Sequence, residues 1–142
     1  LFRSARCGVI GAIMAMKQAK RAGAVEALYV SADGSITECT TSNFFAFKGD
    51  TLITPDAGVL DGITRAATLE VADDIYTVEY RNLRFDELGE IDEAFITSTT
   101  KEILPVVQID EIVIGKGIPG IRSKRLMAAL HQFVQQEIRV PA

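Results

Sequence analysis

The sequence predicts an α+β fold built on a largely antiparallel sheet. Short runs of β-branched and aromatic residues outnumber the helical stretches. Most of these runs are joined by Gly, Asp or Pro turns too short to hold a crossover helix. Longer stretches with apolar residues at helical period stand near the start, the middle and the end of the chain. With 142 residues, 48% of them hydrophobic and 24% charged, the chain can bury a real core and lacks the composition of a disordered segment. No repeat, low-complexity tract or linker divides it, so one domain is expected.

Val9, Ile10, Ile13 and Met14 recur at helical spacing against Lys17, Gln18, Lys20 and Arg21, and Gly23 stops this first helix. Residues 26–31 read as a strand, Asp33-Gly34 as a tight turn and 36–38 as the returning strand. Phe44, Phe45 and Phe47 mark the next strand, and Gly49-Asp50 turns the chain into a short one that ends at Pro55. From Gly62 the period becomes helical through Ile63, Ala66, Ala67, Leu69, Val71 and Ala72. Residues 76–80 form a strand, and Phe85, Leu88 and Ile91 a short helix beginning near Asp86. Residues 94–97 form a strand that empties into Ser98-Thr99-Thr100. Residues 104–109 and 112–114 read as a further strand pair. From Ile121 a stripe of Leu126, Met127, Leu130, Phe133, Val134 and Ile138 predicts an amphipathic helix lying over the sheet.

Charge and composition narrow the function. Fifteen Lys and Arg against 19 Asp and Glu leave a formal charge of −4, which argues against nucleic acid or an anionic membrane as partner. Cys7 and Cys39 form neither a C-x-x-C motif nor a disulfide framework, so a reducing, cytoplasmic setting is expected. The single histidine, His131, excludes a His-rich metal site and a triad built on another histidine; a surface or boundary position is expected for it. No apolar run approaches the ~20 residues needed to span a bilayer. The chain opens at Leu1 inside what reads as a folded segment, with no signal peptide legible there. A piece of a longer chain is therefore expected.

Four segments carry chemistry. Gly115-Lys116-Gly117-Ile118-Pro119-Gly120 has the form of a dinucleotide-binding loop, but the second strand with its acidic residue is missing, so a plain strand-to-helix turn is expected. In Leu60-Asp61-Gly62-Ile63-Thr64-Arg65, a glycine opens a helix. The N–H groups of Ile63 and Thr64, with the Thr64 hydroxyl, are suited to an anion; an ordinary helix start is the alternative. Glu38, after an apolar strand residue, points either into a cavity, where a carboxylate holds a cationic ring nitrogen, or into solvent. Asn43 is expected to satisfy backbone groups in the following turn. The hydroxyls of Ser98, Thr99 and Thr100 suit either a phosphate or a local cap.

In this order, these segments resemble the class IV pyridoxal-phosphate aminotransferases, the group of D-amino acid and branched-chain aminotransferases and aminodeoxychorismate lyase. The resemblance runs from about Ala15 to Ile138. It includes Ala22-Gly23-Ala24 with Glu26-Ala27-Leu28, Asp33-Gly34, Glu38 with Asn43-Phe44, Thr54-Pro55, the Leu60 to Arg65 segment, and Asp92-Glu93-Ala94-Phe95. Ser98-Thr99-Thr100, Pro105-Val106 and Gly117-Ile118-Pro119-Gly120 complete it. It implies fold type IV, with residues 1–142 as the large C-terminal cofactor-binding domain, its barrel-like sheet flanked by helices. It also implies a small N-terminal domain absent from this sequence, a homodimer, and pyridoxal 5′-phosphate as cofactor. By the same resemblance Glu38 meets the ring nitrogen, Leu60 packs on the ring, and Ile63, Thr64 and Thr99 bind the phosphate; Gly62, which permits close backbone approach, is counted with them as cofactor-binding. Arg65 matches a family arginine, structural or cofactor-facing.

The implied activity is transfer of an amino group between an amino acid and a 2-keto acid. Glu38-Cys39-Thr40-Thr41-Ser42-Asn43 lacks the Gly-Glu-Asn of branched-chain enzymes and Thr97-Ser98-Thr99-Thr100 looks more like D-amino acid enzymes, so that type is favoured. The alternatives are a lyase releasing pyruvate from aminodeoxychorismate and a non-catalytic cofactor binder. The family's chemistry needs a lysine that links to the cofactor and moves a proton. Counting back from Gly23 by the family interval reaches Ala5, flanked by Ser4 and Arg6. The other lysines, Lys101 among them, read as solvated. Three explanations stay open: an alanine replacing the lysine, a natural chain without it, or a cofactor-bearing lysine between Ala5 and Arg6 that a one-letter sequence omits.

Overall fold

The structure is a computed structural model that describes residues 1–4 and 8–139. The lysine position at Ala5 and Arg6 lies outside the described residues. Among the described residues, ten strands and three helices follow in the order β1 (Phe2–Ser4), α1 (Gly8–Arg21), β2 (Ala27–Val30), β3 (Ile36–Cys39), β4 (Asn43–Lys48), β5 (Thr51–Thr54), α2 (Ile63–Asp73) and β6 (Thr77–Tyr80). A 3₁₀ turn (Phe85–Glu90), β7 (Glu93–Ser98), β8 (Glu102–Val106), β9 (Gln108–Ile109), β10 (Ile112–Val113) and α3 (Ile121–Arg139) complete the order. Eight strands form one curled, mixed sheet in the order β1-β2-β3-β4-β5-β6, with β7 joining the other edge of β4 and β8 joining β7.

Most pairs are antiparallel, as expected. Two are parallel, β1 with β2 and β5 with β6. Each has a helix between its strands, because a parallel return needs a crossover. The predicted strand over 104–109 is divided. β8 ends at Val106, and β9 pairs with β10 in a separate two-stranded ribbon. β1 has no counterpart in the sequence reading; three residues with no alternation give no periodic signal.

β4 is buried on both faces, which explains its Phe-Phe-Ala-Phe run. Phe44 and Ala46 face inward with Leu28, Ile36, Ile96 and Leu88. Phe45 and Phe47 face outward against Leu69 and Ala72 of α2 and Leu126 and Leu130 of α3. Phe45 stacks on Phe95 of the neighbouring strand at 4.8 Å between ring centres, a geometry that adds to plain burial. Leu126, Met127, Leu130 and Phe133 of the α3 stripe thus cover the sheet as its period predicts, whereas Val134 and Ile138 near its end are exposed.

α1 behaves differently. Its bulky residues Val9, Ile10, Ile13 and Met14 face solvent, and the sheet receives Gly11, Ala15 and Ala19. The small side lets the helix lie close to Ala27 and Tyr29 of β2. Among the described residues no helix is long and apolar enough to cross a membrane, and no cluster of three or more His, Cys, Asp or Glu is arranged to hold a metal.

Candidate functional site

β3 and β4 are joined by a tight connection in which Glu38 pairs with Asn43 across the ladder. β7 lies beside β4 with Thr97 opposite Asn43. The ends of β3, β4 and β7 therefore come to one edge of the sheet, where the loop before α2 crosses them. There a cleft of about 380 Å3 opens, lined by Glu38, Leu60, Gly62, Ile63, Thr64 and Thr99 together with the 39–43 segment, Thr97 and Ser98. The six residues that the resemblance assigns to the cofactor border this one cleft, while Thr100 and Arg65 lie outside its lining. Its volume lies within the range of small-molecule sites.

Two hydrogen bonds set the cleft floor. Glu38 is nearly buried, and its Oε2 accepts the Leu60 N–H at 2.8 Å. Asn43 Nδ2 donates to the Leu60 carbonyl at 2.8 Å. Leu60 is gripped at both its N–H and its carbonyl from the strand ends, which fixes the loop and leaves the Leu60 side chain 72% exposed over the cleft. Gly62 follows with an ordinary extended backbone (φ −71°, ψ 138°). Its glycine is required by contact instead: a Cβ there would collide with Asn43 Oδ1.

Among the described residues no side chain caps the start of α2. The first N–H groups of a helix have no intrahelical partner, so those of Ile63 and Thr64 are directed to whatever the cleft holds. Thr97 Oγ1, buried in the cleft wall, has no hydrogen-bond partner among the described residues. The cleft thus combines a carboxylate, an uncapped helix start and an unsatisfied hydroxyl. That set suits a ligand with a cationic N–H at one end and an anion at the other.

Arg65 belongs to the framework. Its guanidinium donates to the Pro55 carbonyl at 2.9 Å and lies 3.9 Å from Asp61, bracing the loop that carries Leu60. Cys39 is buried, and burial followed by the nearby Glu26 carboxylate pushes its thiol well above the usual range, so it acts as a small apolar filler. His131 is half-exposed on α3, with its Nε2 in hydrogen-bond contact with the Glu102 carboxylate.

The glycine-rich 115–120 segment is the expected strand-to-helix turn, and the structure explains its glycines. A Cβ at Gly115 would collide with the Asp92 carbonyl oxygen, and one at Gly120 would fall on the Glu93 carboxylate. Glu93 fills the start of α3, accepting the N–H groups of Arg122 (3.1 Å) and Ser123 (2.9 Å) and the Ser123 hydroxyl (2.8 Å).

Sequence reasoning missed Glu26 and misread Lys101. Glu26 is fully buried behind the cleft wall. It accepts the hydroxyls of Thr40 (3.2 Å), Thr41 (2.9 Å) and Ser42 (2.8 Å) and the N–H of Thr41. Lys101, expected in solvent, instead places Nζ 2.8 Å from Glu26. Burial alone would raise the Glu26 carboxyl. The Lys101 ammonium, the Thr41 N–H and the hydroxyls outweigh it and hold the group below the usual carboxylate range. Three consecutive hydroxyl residues at 40–42 were the available signal, since a buried carboxylate needs several donors.

Residues 6–109 match the family model for amino-transferase class IV. D-alanine aminotransferase of Bacillus licheniformis is 37% identical over 128 residues, covering 88% of this chain and 45% of that protein. A probable branched-chain-amino-acid aminotransferase of Aquifex aeolicus is 34% identical over 134 residues, covering 92% of this chain and 43% of that protein. Among solved structures, a branched-chain amino acid aminotransferase of T.th. with pyridoxamine 5′-phosphate superimposes with a TM-score of 0.84 at 32% identity, covering 89% of this chain and 43% of that one. The chain spans about half the length, or less, of the proteins it matches, and it shares their fold, the α+β fold type IV. The ordered motifs, the cleft they converge on and these matches lead to one conclusion: the chain belongs to the class IV aminotransferase family.

Proposed function

We propose that residues 1–142 are the cofactor-binding domain of a longer, homodimeric aminotransferase, and that the cleft holds pyridoxal 5′-phosphate. One observation carries this reading: Glu38 and the uncapped start of α2 face the same cleft. The residues fit that group. Glu38 holds a proton at the pyridine nitrogen, the Leu60 side chain packs on the ring face, and the N–H groups of Ile63 and Thr64 with the Thr64 and Thr99 hydroxyls receive the phosphate. Gly62 allows the close approach of backbone that this needs. When bound, the cofactor supplies an electron sink for bond breaking at the substrate's α carbon, and a carboxylate at the ring nitrogen strengthens that sink.

The absence of a Gly-Glu-Asn segment after Glu38 and the Thr97-Ser98-Thr99-Thr100 sequence favour a D-amino acid as amino donor. A second reading, binding without turnover, is favoured by one specific fact: no lysine stands between Leu1 and Met16 in the sequence. The deciding experiment uses the full-length protein. Calorimetric titration with pyridoxamine 5′-phosphate is expected to show one site per chain that Glu38→Ala abolishes; no binding by the unaltered protein refutes the cofactor cleft. Two reactions of the cofactor-loaded protein then separate the readings. Conversion of the cofactor to its amine form by D-alanine supports transfer, pyruvate release from aminodeoxychorismate without that conversion supports elimination, and neither supports a binder.

A further inference from the structure

Two turns border the cleft. One is the 40–42 turn between β3 and β4; the other is the 98–101 turn between β7 and β8, which carries Thr99. Glu26 lies beneath the first, at the foot of β2, with no exposed surface. Lys101 closes the second, its own N–H bound to Ser98 Oγ at 3.2 Å. The Lys101 ammonium reaches across to Glu26 Oε2 at 2.8 Å and to the hydroxyls of Thr41 and Ser42 at 3.4 Å each.

We propose that the pair of buried Glu26 and half-buried Lys101 is the positioning element of the cleft, tying the 40–42 turn to the 98–101 turn and so setting the distance from the Glu38 side to Thr99 without touching the ligand. This rests on the cofactor reading of the cleft and adds the device that holds its two walls in register. The geometry also fixes the polarity of one wall. An ionised carboxylate only accepts hydrogen bonds, so the hydroxyls of Thr40, Thr41 and Ser42 spend their protons on Glu26. Toward the cleft they present lone pairs. An anionic group finds no hydroxyl donor there and is directed to the α2 start and Thr99.

Lys101→Gln tests the tie directly. It removes the link between the turns but leaves Glu26 its four donors from residues 40–42, so the fold is retained. In the full-length protein, amide hydrogen exchange is expected to rise in both the 40–42 and 98–101 turns. The dissociation constant for pyridoxamine 5′-phosphate is expected to rise on the order of tenfold, the usual effect of removing a supporting residue around a site. Lys101→Arg, which keeps the charge and the reach, restores both. Glu26→Gln, which keeps shape but not charge, reproduces the loss. Exchange that rises in one turn only, or unchanged affinity with both turns loosened, overturns the proposal. If the unaltered protein binds no pyridoxamine 5′-phosphate, the cofactor reading falls, and the exchange data alone still decide whether the pair couples the turns.

Discussion

α2 and α3 begin in the same way and end up opposite. Each is led by a glycine that a neighbouring polar side chain forbids from carrying a Cβ, Asn43 Oδ1 at Gly62 and Glu93 at Gly120. At α3 the protein fills the helix start with its own carboxylate, Glu93, held by two N–H groups and a hydroxyl. At α2 no side chain among the described residues does so, and the start opens on the cleft. The electrostatic attraction for an anion is common to both helices. What differs is whether the fold satisfies it internally or leaves it for a ligand. A glycine before a helix therefore identifies neither case; the residue packed against it does.

Removing the internal anion should produce the largest effect. Glu93→Ala deprives α3 of its cap and Arg122 of a partner, and is expected to lower stability by about 3 kcal/mol, read from urea midpoints. A loss below about 1 kcal/mol would mean that α3 does not depend on this carboxylate, and the contrast with α2 would weaken. Gly62→Ala comes next. Its backbone tolerates alanine, so the whole effect is the clash with Asn43, which must release the Leu60 carbonyl. About 1–2 kcal/mol of destabilisation is expected, together with weaker binding of pyridoxamine 5′-phosphate.

Acid should erase the contrast at α3. Burial would raise the Glu93 carboxyl, but the N–H groups of Ser123 and Arg122, the Ser123 hydroxyl and the Arg122 guanidinium outweigh it and lower the group from its ordinary 4.5. A carboxyl lowered on folding contributes stability above its unfolded value, and that contribution disappears as pH falls through the folded value. The stability gap between the unaltered protein and Glu93→Ala should thus shrink below pH 4.5, as urea midpoints at neutral and acid pH will show. Thr64→Ala is the smallest in stability, within about 0.5 kcal/mol, because alanine is the better helix former. Its effect belongs to the ligand: weaker pyridoxamine 5′-phosphate binding with an unchanged melting temperature. A melting shift without an affinity change would make Thr64 a helix residue only.

The elements were largely legible, and their misreadings are instructive. The period of Val9, Ile10, Ile13 and Met14 marks α1 correctly but not the face that the sheet receives. Periodicity records which residues share a side; the space beneath decides which side goes in, and here only Gly11, Ala15 and Ala19 fit against β2. The break between β8 and β9 left no mark in the sequence, because the apolar run continues through Val107 while the pairing does not. Glu38, Leu60, Gly62, Ile63, Thr64 and Thr99 border one cleft, whereas Thr100 and Arg65 do not; Glu38, Gly62 and Thr99 sit at element ends where motif and chain direction coincide. Glu26 and Lys101 were not legible as a pair, because seventy-five positions separate them and each alone looks like a solvated charge.

By itself the sequence determined the order of the helices and of most strands and the residue types gathered at the cleft, because side-chain period and turn chemistry are local properties. Only the tertiary structure decided which helix start stays open, which face of α1 is buried and which cation meets the buried Glu26. Those outcomes depend on what chain folding brings within a few ångströms, and no spacing along the chain encodes that distance.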